Sequence, residues 1–196
     1  MKQFSLILIL VSCILEIITR VINIVDIYID NINAFSVFLS TYSRFGSLTL
    51  IVGFLGLYIS AKNNFKTKLF AIAIVLSGFI QFLMIEFGFI TEYGTISALI
   101  LLVKLILITL FILEYKDEEV DGLRIKRYIA ISSLGVYWLA FFIISFIPVY
   151  ITSSAPHASL SVLPFFYILM QAGLWIFFLE LYREIFNYKN EYYINL

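Results

Sequence analysis

The chain has 196 residues, of which 62% are hydrophobic and 13% charged, with a mean hydropathy of +1.02 and a formal net charge of zero. Soluble domains run at roughly 45–50% apolar and about 25% charged, so a soluble globular domain is excluded, and the balanced charge offers nucleic acid no basic surface. A single cysteine rules out an internal disulfide, and one cysteine with one histidine is too little for a zinc or iron centre, so neither metal nor cofactor is expected.

Apolar runs of about 20 residues, the length that crosses a bilayer, recur from end to end, without the alternation of barrel strands. The expected fold class is all-α. It is a polytopic integral membrane protein, one domain over 1–196, with six transmembrane helices joined by short loops. The spans are expected at 4–28, 35–60, 69–90, 95–113, 128–151 and 162–182.

Span one contains ILVSCILEIITRVINIVD at residues 9–26. Leu10-Val11-Ser12-Cys13 has the form of a lipoprotein cleavage box, but Ile14, Leu15, Ile17 and Ile18 carry the apolar run straight past it. Cleavage there would remove twelve residues, short of the roughly 15–30 of an export signal. Cys13 is therefore expected as a small buried residue and span one as part of the mature protein. Its charges are costly. A central Glu or Arg costs about 2.5–3.5 kcal/mol to insert, and each Leu, Ile, Val or Phe returns about 0.3–0.6. The thirteen such apolar residues from 4 to 22 are worth on the order of 6 kcal/mol, which roughly matches the cost of Glu16 and Arg20. The helix needs partners for its polar side. At about 100° per residue, Ser5, Ser12, Glu16, Arg20, Asn23 and Asp30 form one stripe, and Glu16 and Arg20 have the spacing and order of a helical ion pair.

Span two carries Ser36, Ser40, Ser43 and Ser47 on one face, with Arg44 at the edge. Its other face holds Gly46, Thr49, Gly53, Gly56 and Ser60 at alternating spacings of three and four, a rhythm that lets another helix approach closely. Span three has Gln81 near mid-depth and Glu86 nearer the outside, and the otherwise aliphatic span four has Lys104 near its centre. Span five offers Ser132, Ser133, Tyr137, Trp138 and Ser145 but no charge. Pro148 is expected to bend its end, residues 152–164 (TSSAPHASLSVLP) to form an outer loop containing His157, and Pro164 to lie in the first turn of span six. Span six has Gln171 at mid-depth and Glu180 near its inner end. Spans one to three and four to six enter from opposite sides, as an inverted repeat requires, but the two halves share negligible sequence similarity.

Ten of the thirteen Lys and Arg fall on one side of this six-span arrangement: Lys2, Lys62, Lys66, Lys68, Lys116, Arg124, Lys126, Arg127, Arg183 and Lys189. The positive-inside rule then puts both termini in the cytoplasm, with the plasma membrane the expected location. The remaining three cations, Arg20, Arg44 and Lys104, lie at membrane depth with Glu16 and Glu86, and Asp26 and Asp30 lie near the outer rim. Ionisable residues inside a membrane mark functional sites by default. The expected site is an outward-facing, net-positive polar cavity for a small anionic or zwitterionic ligand, in a transporter or ligand-binding membrane subunit. The competing expectation is that these residues serve only the fold: Arg20 neutralises Glu16, Arg44 pairs with Glu86 or Asp26, and Lys104 snorkels or holds a backbone carbonyl. A sensory or accessory module, packing its small-residue face against a membrane-protein partner or a second copy, is the alternative function. An intramembrane enzyme comes third, because the chain has neither His-Glu-x-x-His nor Gly-x-Ser-x-Gly.

Overall fold

The computed structural model describes the backbone of residues 1–29, 33–61, 65–86, 94–114, 121–146 and 156–194, and within it the side chains of 1–22, 24, 25, 41, 42, 44–61, 65–84, 86, 99–114, 123–143 and 163–186. Six helices account for nearly all of it: α1 (Lys2–Ile29), α2 (Asn33–Ser60), α3 (Phe65–Glu86), α4 (Gly94–Glu114), α5 (Asp121–Phe146) and α6 (Pro156–Ile194). Among the described residues, three stretches are long and apolar enough to cross a membrane, at Lys2–Ile22, Phe65–Met84 and Leu163–Phe186, and Arg44–Ser60 is a shorter apolar helix.

The helices are inverted relative to those of a water-soluble bundle. On α1, the side chains of Phe4, Ile7, Val11, Ile14, Ile18, Val21 and Val25 recur every three or four residues and are all exposed. The opposite face buries Ser5, Ser12 and Thr19 together with Leu6, Ile9, Leu10 and Cys13. α4 repeats the pattern, exposing Leu99, Val103, Ile106, Leu110 and Leu113 while burying Lys104. In water such continuous apolar faces would be far larger than a monomer tolerates. They belong against hydrocarbon, with polar groups turned inward where protein can satisfy them.

Most hydroxyls are satisfied within their own helix. Thr19 donates to the Leu15 carbonyl, Ser60 to Gly56, Ser77 to Ile74, Thr109 to Leu105 and Ser133 to Ala130. This back-bonding lets a hydroxyl sit in an apolar helix without a partner elsewhere. Ser12 is different: its Oγ donates across the helix interface to the Gly46 carbonyl at 2.7 Å.

Chain order is also the order around the bundle. α1 packs on α2 and α6, α3 on α2 and α4, and α5 on α6; α4 and α5 meet along the thinnest seam. Neighbours run antiparallel. Gly46 and Gly56 of α2 lie against Glu16 and Ser5 of α1, and on the α3–α4 pair Lys66 meets Glu114 while Gln81 meets Lys104. The α1–α2 contact is close because of the glycines. A Cβ at Gly53 would come within 2.6 Å of Ile9 Cγ1 and 3.0 Å of the Ser5 carbonyl oxygen, and one at Gly56 would run into the Ser5 hydroxyl. The interior between α2, α4 and α6 is filled by Phe54, Phe111 and Phe178, fully buried, with Phe54 edge-on to the other two rings at 5.2 and 6.0 Å.

Two local expectations are corrected. The helix of span six begins at Pro156, so His157, Ser159 and Ser161 belong to its first turns rather than to an outer loop, and Pro164 lies inside the helix rather than in its first turn. A proline at the opening position starts a helix at no hydrogen-bonding cost, which makes Pro156 the better start. α5 also begins earlier than expected, at Asp121, and takes in most of the mixed-charge turn; it ends at Phe146, two residues before Pro148.

Candidate functional site

Four helices converge on the interior around Glu16. α1 contributes Ile9, Ser12, Cys13 and Glu16, and α2 contributes Ser47, Leu50 and Phe54. α4 adds Lys104, Leu105 and Ile108, and α6 adds Tyr167, Gln171, Leu174 and Phe178. The free space between these side chains is about 470 Å³, partly continuous with the surroundings, of which about 20 Å³ is open to the centre of a water molecule. One or two waters fit. Anything larger needs side chains to move. Phe54 and Phe178 line the space together with Glu16 and Tyr167.

The charges are held by neutral partners. The Tyr167 hydroxyl donates to Glu16 Oε2 at 3.3 Å, and the face of the same ring lies under the Arg20 guanidinium, 4.6 Å from its Cζ. One aromatic side chain thus contacts the acid through its hydroxyl and the cation through its π face. Across the cavity, Lys104 Nζ donates to Gln81 Oε1 at 2.6 Å. Ion pairs among the described residues include Arg44–Glu86, Lys66–Glu114 and Arg183–Glu180. Glu16 pairs with neither Arg20 nor Lys104. Arg20 Nε is also buried without a hydrogen-bond partner among the described residues.

Of the residues singled out in the sequence, Glu16 and Lys104 face the same cavity, and Arg20 reaches it through Tyr167. Arg44 and Glu86 do not join them. Their side chains pair with each other between α2 and α3, Nε to Oε1 at 3.0 Å, with 44% and 33% of their surface exposed. Gly46, Gly53 and Gly56 form the α2 face that α1 packs against. The side chains of Asn23, Asp26, Asp30 and His157 lie outside the described residues. Cys13 is buried in the middle of α1 and lines the cavity. No group of three or more His, Cys, Asp or Glu that could hold a metal occurs among the described residues.

Tyr167 is the central residue that sequence reasoning missed. Its signal was its spacing: Tyr167, Gln171, Leu174 and Phe178 recur every three or four residues and present one face of α6 to the cavity. No protein-family model, curated protein or solved structure matches this chain.

Proposed function

We propose that the protein is a six-span integral membrane protein of the plasma membrane, with both termini cytoplasmic, that binds a small anionic or zwitterionic ligand in the Glu16–Lys104 cavity as a transporter or ligand-binding subunit. The supporting observation is that Glu16, Arg20 and Lys104 meet in one interior region without neutralising one another. Each is held by a neutral group: a phenol hydroxyl, a phenol ring or an amide. Ionisable groups at membrane depth mark functional sites by default, and a neutral partner leaves the charge of the buried Lys104 uncompensated. Two cations against one carboxylate leave a formal excess of one positive charge for a ligand to balance.

Six spans agree with the helix lengths. The shortest, α4, has 21 residues, which at about 1.5 Å per residue matches a hydrocarbon core roughly 30 Å thick. The accessory-module reading needs a small-residue face free for a partner, whereas the seam at Gly46, Gly53 and Gly56 is filled by α1 of the same chain.

The test is thermal unfolding of the purified protein in detergent, with and without butyrate, glycine or glutamate, for the native chain and for Lys104→Met. A ligand at about 100 times its dissociation constant stabilises by about 2.7 kcal/mol, so at least one compound should raise the midpoint of the native chain and not of the variant. If all three leave the native chain unmoved, or move both proteins equally, the ligand-site reading fails.

A further inference from the structure

The α4–α5 seam holds a second recess. Leu101, Leu102 and Leu105 of α4 and Tyr137, Trp138 and Phe141 of α5 line a shallow, almost wholly apolar recess. About 10 Å³ of it is open to the centre of a water molecule, so a guest must spread the two helices to enter. Both helices expose apolar side chains, Val103 on α4 and Leu139 and Phe142 on α5, and Phe142 stacks on the lining residue Trp138, so the recess lies beside a face suited to hydrocarbon. It is also joined to the polar cavity. Leu105 lines both spaces, and the Tyr137 ring meets the Tyr167 ring edge-on at 5.5 Å. Leu105 and the Tyr137–Tyr167 ring pair thus adjoin both spaces, and Lys104, next to Leu105 in sequence, lines the inner one. The recess lies where the bundle is least tightly closed, since α4 and α5 share fewer close approaches than any other neighbouring pair.

An apolar recess beside a cavity that holds a buried ammonium matches an amphiphile entering sideways. We infer that the seam admits the alkyl chain of a long-chain carboxylate whose head group is bound by Lys104. This rests on the reading of the Lys104 cavity as a ligand site and names the class of ligand. A carboxylate head fits better than a phosphate. The inner space accommodates one or two waters, about the volume of two carboxylate oxygens, and the formal excess of one positive charge balances a monoanion. The remaining polar groups suit it: the Gln171 amide can donate, as can the Ser47 hydroxyl, both on the cavity wall. The chain then stays between Leu101, Leu102 and Trp138 and runs out into the bilayer.

Trp138 supplies the readout. The chain has two tryptophans, so Trp175→Phe leaves Trp138 as the sole reporter. The full chain in phosphatidylcholine nanodiscs is titrated with dodecanoate brominated on its alkyl chain, which quenches tryptophan on contact. Quenching should saturate, be reversed by unbrominated dodecanoate, and need about tenfold more ligand or worse in Lys104→Met, as expected for loss of one charge-assisted hydrogen bond. Leu102→Phe fills the seam without touching the polar cavity. It should weaken dodecanoate by a similar factor while leaving any stabilisation by butyrate unchanged, and it remains informative if Lys104→Met fails to fold. Non-saturating quenching that is identical in all three proteins would mean that the chain merely partitions beside Trp138 as bulk lipid does, and would overturn the inference. If butyrate still stabilised in a Lys104-dependent way, the polar site would stand without the lateral route. If neither compound depended on Lys104, both readings would fall.

Discussion

Gln81 holds Lys104 by its side-chain carbonyl, 2.6 Å from the ammonium, so the cation at the centre of α4 is solvated by an amide rather than neutralised by an acid. This sets apart two substitutions at one position. Gln81→Leu strips a buried ammonium of its acceptor and should lower stability by about 1–3 kcal/mol or more, the cost of an unsatisfied buried group. Gln81→Glu supplies a counter-charge instead. It should keep or raise stability while abolishing the response to carboxylates, because the excess positive charge is gone. Unfolding in detergent, with and without ligand, measures both. A Gln81→Glu protein that kept full ligand response would mean that the charge of Lys104 is not what the ligand reads.

Tyr167 makes two contacts that can be removed separately. Tyr167→Phe deletes the hydroxyl that faces Glu16 but keeps the ring under Arg20; Tyr167→Leu deletes both. The first should cost about 1–3 kcal/mol, because a carboxylate loses its donor. The second should cost a further 0.5–2 kcal/mol or so for the lost cation–π contact. The added cost should shrink by that amount when Tyr167→Leu and Tyr167→Phe are compared in an Arg20→Met background, leaving the packing cost of the ring against Tyr137. A thermal double-mutant cycle reads this directly, and an added cost unchanged without Arg20 would assign all of it to packing.

The helices were legible from composition because each apolar run is long and uninterrupted, and α1's polar side was legible because Ser5, Ser12, Glu16 and Arg20 share one angular sector. Spacing cannot decide partners. Glu16 and Arg20 have ideal ion-pair spacing on α1, yet the Tyr167 side chain from α6, 151 positions from Glu16, takes both. Lys104 likewise found its acceptor on α3, a choice set by how α3 and α4 lie against each other. Arg44 had Glu86 and Asp26 as partners of equal standing in the sequence, and the antiparallel register of α2 and α3 brings Glu86 to it. Pro156 and Pro164, eight residues apart, are both able to open a helix, and the helix extends back to Pro156.

The glycine seam predicts a graded series. Gly53→Ala and Gly56→Ala place a methyl group into Ile9 and Ser5 of α1. Helix association within a membrane depends on close van der Waals contact, with no exclusion of water to drive it. Each should cost about 1–3 kcal/mol, the range for overpacking. Gly135→Ala is the control. A Cβ there meets nothing within 4 Å, so only helix propensity remains, and it should stabilise by up to about 1 kcal/mol. Unfolding midpoints of the three variants give the comparison; equal effects at all three would mean that the α1–α2 contact is looser than these distances.

Arg44 and Glu86 give a prediction about depth. Glu86 is the last described residue of α3, and both side chains are partly exposed, so a pair at the bilayer surface would meet water and ions. Exposed ion pairs are worth about 0.2–1 kcal/mol and are screened by salt. A double-mutant cycle with Arg44→Gln and Glu86→Gln should therefore give a coupling in that range, shrinking as salt is raised, and should leave carboxylate binding at Lys104 unchanged. A coupling several times larger and indifferent to salt would move the pair into the hydrocarbon. Arg44 would then be a third interior cation, and the charge of the ligand site would have to be counted again.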